Sequence, residues 1–168
     1  MKLNRLTKSL IILAISSILL YITSCKKEEK VIKSIEIKFK KEGELQLFKS
    51  TTDSLIATFN IEIADDDYET QRGMMDRKSM DSNNAMLFIF QDMRMRSFYM
   101  KSTLIPLDII YLDKDNKIVS IQNNAKPLDE TSLPSVAPAK YVLEINGGLS
   151  QQRSIEAGDY MKFTKSKE

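Results

Sequence analysis

The sequence contains no histidine and a single cysteine. Without histidine, Ser-His-Asp and Cys-His catalysis are excluded, together with most zinc sites. Acid–base chemistry would fall to Asp, Glu, Lys or Tyr. One cysteine excludes an intramolecular disulfide. Charge of one sign is also missing. Of 25 basic residues, Lys2, Arg5 and Lys8 lie at the extreme N-terminus, leaving 22 bases against 23 acids. So even a balance gives no electrostatic reason to expect nucleic acid. There are no internal repeats or low-complexity tracts. Gly147-Gly148 lacks the Lys-Ser/Thr of a phosphate-binding loop. What is present, 168 residues with 42% hydrophobic and 29% charged, suits one globular domain plus a tail.

The tail is the N-terminus. Behind the basic front, Leu10 to Ile22 form an apolar run of 13 residues. As a helix it would rise about 20 Å, short of the roughly 30 Å hydrocarbon core of a bilayer. A basic front and a short apolar stretch form the pattern of a secretory signal. Ile22-Thr23-Ser24-Cys25 resembles the box read by lipoprotein signal peptidase. That resemblance implies a signal over residues 1–24, cleaved so that Cys25 becomes the first residue. Its thiolate would take the diacylglycerol, and several acyl chains would hold the protein at a membrane. The expected location is the cell envelope, lipid-anchored at an outer membrane and facing either periplasm or surface. Residues 25–34 read as the lipidated Cys and a polar tether. Lys26-Lys27-Glu28-Glu29-Lys30 is a solvated spacer, or a sorting signal similar to the charged stretch of surface-exposed lipoproteins.

Residues 35–168 carry the folded part, with strand signals from about Ile35 to Thr164. Leu55, Ala57, Phe59, Ile61 and Ile63 alternate with Ile56, Thr58, Asn60 and Glu62, a period of two that predicts a strand with one buried face. Met86 to Phe90 reads as a strand buried on both faces. Asp108–Leu112 and Ile118–Gln122 flank the turn residues Asp113 to Lys117, predicting a hairpin. Tyr141–Asn146 is a further strand stopped by Gly147-Gly148, and Tyr160–Phe163 a closing strand after Gly158-Asp159. Asp66 to Glu69 resembles a capping box and Gly73 supplies a stop, predicting one short helix. Capping also explains Asp65-Asp66-Asp67, which lacks the spaced ligands of a calcium loop. Lys126 to Ala139, with three prolines, is expected to be a surface loop. The fold class is therefore mainly β, a compact antiparallel barrel or sandwich with one short helix.

Three segments together resemble the DUF192 family of small bacterial and archaeal domains. The first is Arg72-Gly73-Met74-Met75-x-Arg77 with Ala85-Met86-Leu87-Phe88-x-Phe90. The second runs from Phe98-Tyr99-Met100-Lys101 through Thr103, Ile105 and Pro106 to Leu107-Asp108. The third is Tyr141-Val142-Leu143-Glu144-Ile145, then Gly148 and Gly158-Asp159. The likeness covers roughly Phe59 to Phe163. Tyr99 stands where the family usually has Trp, Ser102 where it has Asn, and Ala85 where it has Gly. Ser102 keeps a donor but lacks the amide fork of Asn. The resemblance implies a fold and important positions; it implies no reaction.

Extended, Phe98 and Met100 would share one face and Tyr99 and Lys101 the other. Burying the first pair would present Tyr99 beside Lys101, with Thr103 and Asp108 around Pro106 and with Arg72 and Arg77 offered from the helix end. Arg72, Arg77, Tyr99, Lys101, Thr103 and Asp108 are thus candidate ligand-binding residues for an anionic or sugar-like molecule. Alternatively Lys101 and Asp108 form an ion pair that locks the loop, and Arg72 caps carbonyls near Gly73. Catalysis by Lys101 or Asp108 would require shifted pKa values. Seven of nine methionines fall between Met74 and Met100. Met80, Met93 and Met95 are weak candidates for Cu(I), since thioethers are soft ligands, while core filling explains the others. The sequence thus favours a membrane-anchored binding or accessory module over an enzyme. It calls for no cofactor and no nucleic acid, and its partner would be a small molecule, glycan or envelope protein.

Overall fold

The computed structural model describes residues 37–166, which fall in one compact unit, Glu36–Glu168. The signal at 1–24, Cys25 and the tether to residue 34 lie outside the described residues. Among the described residues nine strands form: β1 (Gly43–Phe48), β2 (Leu55–Ala64), β3 (Asn84–Arg94), β4 (Ser97–Phe98), β5 (Leu107–Leu112), β6 (Ile118–Ala125), β7 (Leu133–Pro134), β8 (Ala139–Asn146) and β9 (Tyr160–Lys165). Two short helices accompany them, α1 (Asp67–Arg72) and α2 (Leu149–Gln152).

Seven strands make one sheet in the order β6-β5-β8-β3-β2-β1-β9, and β4 pairs with β7 apart from it. All pairings are antiparallel except β2 with β3. That parallel pair refines the antiparallel expectation, because α1 and the loop after it carry the chain back before β3 begins. A second helix, α2, follows the Gly147-Gly148 turn. The edge strands meet only at one end, where Ile118 N–H donates to the Asp159 carbonyl at 2.8 Å and Gly158 N–H to the Ile118 carbonyl at 2.8 Å. The sheet curls without closing into a barrel and is sandwich-like.

The period-two pattern sorts side chains onto two faces. Leu45, Phe59, Ile61, Leu87, Leu143 and Ile145 build one apolar cluster. Met86, Phe88, Ile109, Tyr111, Val142 and Met100 build a second on the opposite face. Each large side chain so buried contributes roughly 1.5–3 kcal/mol. The second face is not wholly apolar. The ladders set Glu62, Met86, Glu144 and Ile109 side by side across β2, β3, β8 and β5. Glu62 and Glu144 are both buried.

The predicted helix forms with its caps in place. Asp66 accepts from the Glu69 amide at 2.7 Å, and Gly73 ends the helix with φ +47°. The Gly158-Asp159 turn is fixed by a buried carboxylate. Asp159 accepts from the amides of Ser50 at 3.0 Å and Glu156 at 2.9 Å, and Lys49 lies 3.2 Å away. Burial alone would raise the Asp159 carboxyl. The two amides and the Lys49 ammonium outweigh it and hold the group below its ordinary value.

Candidate functional site

The proline-bearing loop at residues 126–139 does more than cross the surface. Leu133 and Pro134 pair with Phe98 and Ser97. Met100 N–H donates to the Asp129 carbonyl at 2.8 Å, and Leu128 N–H to the Thr103 carbonyl at 3.1 Å. Segment 96–103 is thereby clamped into a wall standing over the second face of the sheet. Arg96 fastens the base of this wall. Its Nε donates to the Ala139 carbonyl at 3.2 Å and its Nη2 to the Asp92 carbonyl at 2.6 Å. Its guanidinium lies 3.8 Å from the Phe90 ring centroid, a stacked cation–π contact.

Between this wall and the end of α1 opens a cleft of about 590 Å³. That volume lies within the range typical of small-molecule sites. Its sides are aromatic: Phe98 meets Phe88 edge-on at 5.0 Å and Phe90 at 6.5 Å between centroids. Met74, Met75 and Met95 add thioethers, and Arg72, Arg94 and Tyr99 also line it. Gly73 is required where α1 meets the floor. Its φ is positive, and a Cβ there would stand 3.1 Å from Phe88 Cζ and 3.8 Å from Glu144 Oε2.

Glu144 is the unusual member. Its Oε2 is buried and has no hydrogen-bond partner, yet the residue lines the cleft. Burial pushes its carboxyl up to about 8, against a smaller downward pull from the Arg77 charge. Near neutral pH the group is therefore mostly a neutral acid, able to donate one O–H. Burial, and then the nearby Glu144 charge, also raise the Tyr111 hydroxyl, which donates to the Leu133 carbonyl.

Of the six candidate ligand-binding residues, the cleft brings together Arg72, Tyr99 and Thr103. Tyr99 is half exposed, and Arg72 Nη1 donates to Tyr68 Oη at 2.7 Å. Phe98 and Met100 turn inward and Tyr99 and Lys101 outward, as alternation requires. The other three do not join the cleft. Arg77 is taken by Glu62, with 2.5 Å between Nη2 and Oε2. Lys101 is exposed, and Asp108 is fully buried, so the Lys101–Asp108 ion pair does not form. Asp108 instead accepts three amides: Asn124 at 2.7 Å and Gly148 at 2.9 Å on Oδ1, Ser150 at 2.7 Å on Oδ2. Its oxygens are committed to the turn before α2, which leaves it unsuited to proton transfer with a ligand. Met80 packs against the second cluster, while Met93 and Met95 are exposed. Among the described residues there is no cluster of three or more His, Cys, Asp or Glu suited to a metal.

Sequence reasoning missed Glu144, Arg94, Arg96 and the phenyl wall. A signal existed for Glu144: it is the one acid in the apolar run Tyr141–Ile145. An acid at such a position is costly to bury and calls for a reason.

The DUF192 family model, described as an uncharacterized ACR, matches residues 48–163. Among solved structures, a protein of unknown function from Novosphingobium aromaticivorans DSM 12444 is 35% identical. That match covers 71% of this chain and 83% of the other, with a TM-score of 0.67. A protein from Sinorhizobium meliloti 1021, whose name proposes a transcription regulator, is 29% identical. It covers 76% of this chain and 97% of the other, with a TM-score of 0.70. No curated protein matches the chain.

Proposed function

Since the chain belongs to the DUF192 family, matched over residues 48–163, we propose that it is a small-molecule-binding module tethered to an envelope membrane through Cys25. The observation that carries this reading is the 590 Å³ cleft with a buried, unpartnered carboxyl on its lining. A protein with nothing to bind gains no stability from such an arrangement. The aromatic sides supply apolar contact area, and Arg72 and Arg94 supply positive charge. The near-even charge of residues 25–168 supports a small ligand over nucleic acid. A binding role is favoured over catalysis by Lys101 and Asp108, because the latter is sealed and fully bonded.

Two experiments test the reading. The purified full chain in detergent is screened by thermal shift against ring carboxylates, sugars and phosphates. At least one class is expected to raise Tm, with the rise lost in Tyr99→Ala and Arg72→Ala. No shift from any class, or shifts unaltered by both variants, would count against the cleft. For the anchor, cells are fed labelled palmitate. Label and membrane retention are expected in the wild type and absent in Cys25→Ala; label in the variant would refute the lipid attachment.

A further inference from the structure

We infer that Glu144 is the inner specificity contact of the cleft, donating a hydrogen bond to an uncharged acceptor oxygen on a flat, ring-bearing anion whose charged end stays at Arg72 and Arg94. This deepens, and rests on, the binding role proposed above.

The argument begins with what surrounds the carboxyl. Glu144 sits on β8 between Met86 of β3 and Ile109 of β5. The end of α1 lies against it, 3.8 Å from Oε2 to the place of a Gly73 Cβ. The ionisable groups packed around it are few. Glu62 of β2 and Arg77 already pair with each other, the Tyr111 hydroxyl of β5 is spent on Leu133, and Arg96 is spent on Asp92 and Ala139. Arg77 Nε is also buried without a hydrogen-bond partner, but it makes no hydrogen bond to Glu144. Glu144 Oε2 is unanswered by any side chain and the residue lines the cleft, so the cleft is the side from which a ligand can reach it. A buried acid in such surroundings holds its proton, which makes it a donor.

The class of ligand follows from the rest of the lining. The buried lining other than Glu144 is Met74, Phe88, Thr103 and Arg96, and the last is already bonded. A sugar would bring several hydroxyls into a space whose walls are phenyl rings and a thioether, and most would be stranded. A planar ring stacks there without that cost. Arg72 and Arg94 are the lining cations nearer solvent: Arg94 is 68% exposed at its side chain, and Arg72 is intermediate. A carboxylate at the outer end of the ring can meet them. An ammonium at the inner end would instead demand an ionised Glu144 and would bind better as pH rises, the opposite signature.

The test uses the full chain in detergent, with calorimetry and thermal shift. Its probe is 4-acetylbenzoate, whose ketone does not titrate. Its comparators are 4-isopropylbenzoate, of the same shape without an acceptor, and 4-(aminomethyl)benzoate, with an ammonium. At about pH 6 the wild type is expected to prefer the acetyl compound roughly tenfold over the isopropyl compound, the worth of one well-made buried hydrogen bond. The preference should vanish by about pH 9.5 in the wild type. It should vanish at both pH values in Glu144→Leu, and persist at both in Glu144→Gln, whose amide still donates. Equal binding of the two neutral-tailed probes overturns the inference, as does a preference surviving in Glu144→Leu or tighter binding of the ammonium probe. Binding of none of the three also overturns it. The cleft reading stands apart: another compound whose binding needs Tyr99 and Arg72 would uphold the cleft while the Glu144 contact fell.

Discussion

Arg77 Nη2 lies 2.5 Å from Glu62 Oε2, with the two side chains 10% and 8% exposed. A residue that reads as a ligand-binding cation is thus the counter-charge of a strand carboxylate, whose other oxygen accepts the Lys40 amide at 2.7 Å. Breaking a buried pair from one side leaves an uncompensated charge. Arg77→Met is expected to cost about 3–5 kcal/mol in urea unfolding. The double variant Glu62→Leu/Arg77→Met should recover to within about 1 kcal/mol of the wild type. A double variant as unstable as the single one would show that the pair is not the source of the loss.

The Asp108 carboxylate ties three amides that are 16, 40 and 42 residues away. Hydrogen bonds to a charged acceptor are worth about 1.5–3 kcal/mol each, and they are not additive. Asp108→Asn keeps one acceptor oxygen and turns an NH₂ toward an amide N–H. The expected loss is about 2–4 kcal/mol, seen as a lower urea midpoint with unchanged slope. Binding at the cleft should persist in the folded fraction. Loss of ligand affinity without loss of stability would return Asp108 to the site.

Gly73 holds φ +47° and ψ −130° at the end of α1, with Phe88 directly beneath. Gly73→Ala is expected to lower stability by about 1–3 kcal/mol, since a side chain is strained there and its methyl must displace the phenyl ring. For a domain of this size that is a fall of several degrees in Tm. An unchanged Tm in a melting experiment would mean the backbone relaxes freely at this point.

The parts of the fold governed by local pattern were legible in the sequence. Phe59 and Ile61 alternate with Thr58 and Asn60, and β2 forms with that face inward. Asp113 flanks the β5–β6 turn and accepts the amides of Asp115 and Lys117. What failed was the assumption that a charged residue in a strand faces water. Glu62 and Glu144 lie on a face that α1 and segment 96–103 cover, and coverage depends on contacts far apart in the chain. Segment 96–103 is held by residues 128–135 of the proline loop, among them Ser135 and Asp129, which bond to it from more than 25 residues along the chain. Around the cleft, the outward placement of Tyr99 was readable from alternation and that of Arg72 from the helix end. The position of Asp108 was not readable, because its partners lie far along the chain on β6, in the Gly147-Gly148 turn and on α2.

The raised Glu144 carboxyl makes stability depend on pH with a definite sign. Unfolded, the group titrates near 4.5; folded, it titrates near 8. A folded value above the unfolded one means the native state holds the proton more tightly, so its contribution is complete below about pH 4.5. As pH rises from there the unfolded chain ionises first, and stability falls until the native carboxyl has also lost its proton, near 8. The gap corresponds to a loss on the order of 5 kcal/mol across that window. Glu144→Gln cannot ionise and should flatten the curve. Wild type and variant are expected to converge near pH 4 and diverge by pH 8, with the variant the more stable. Arg77→Met removes the positive charge that opposes the shift, so in that variant the decline should begin at the same pH and extend to a higher one. Parallel curves for wild type and Glu144→Gln, measured by urea titration in steps of pH, would mean that the carboxyl finds a partner and that the cleft floor is not as dry as its geometry indicates.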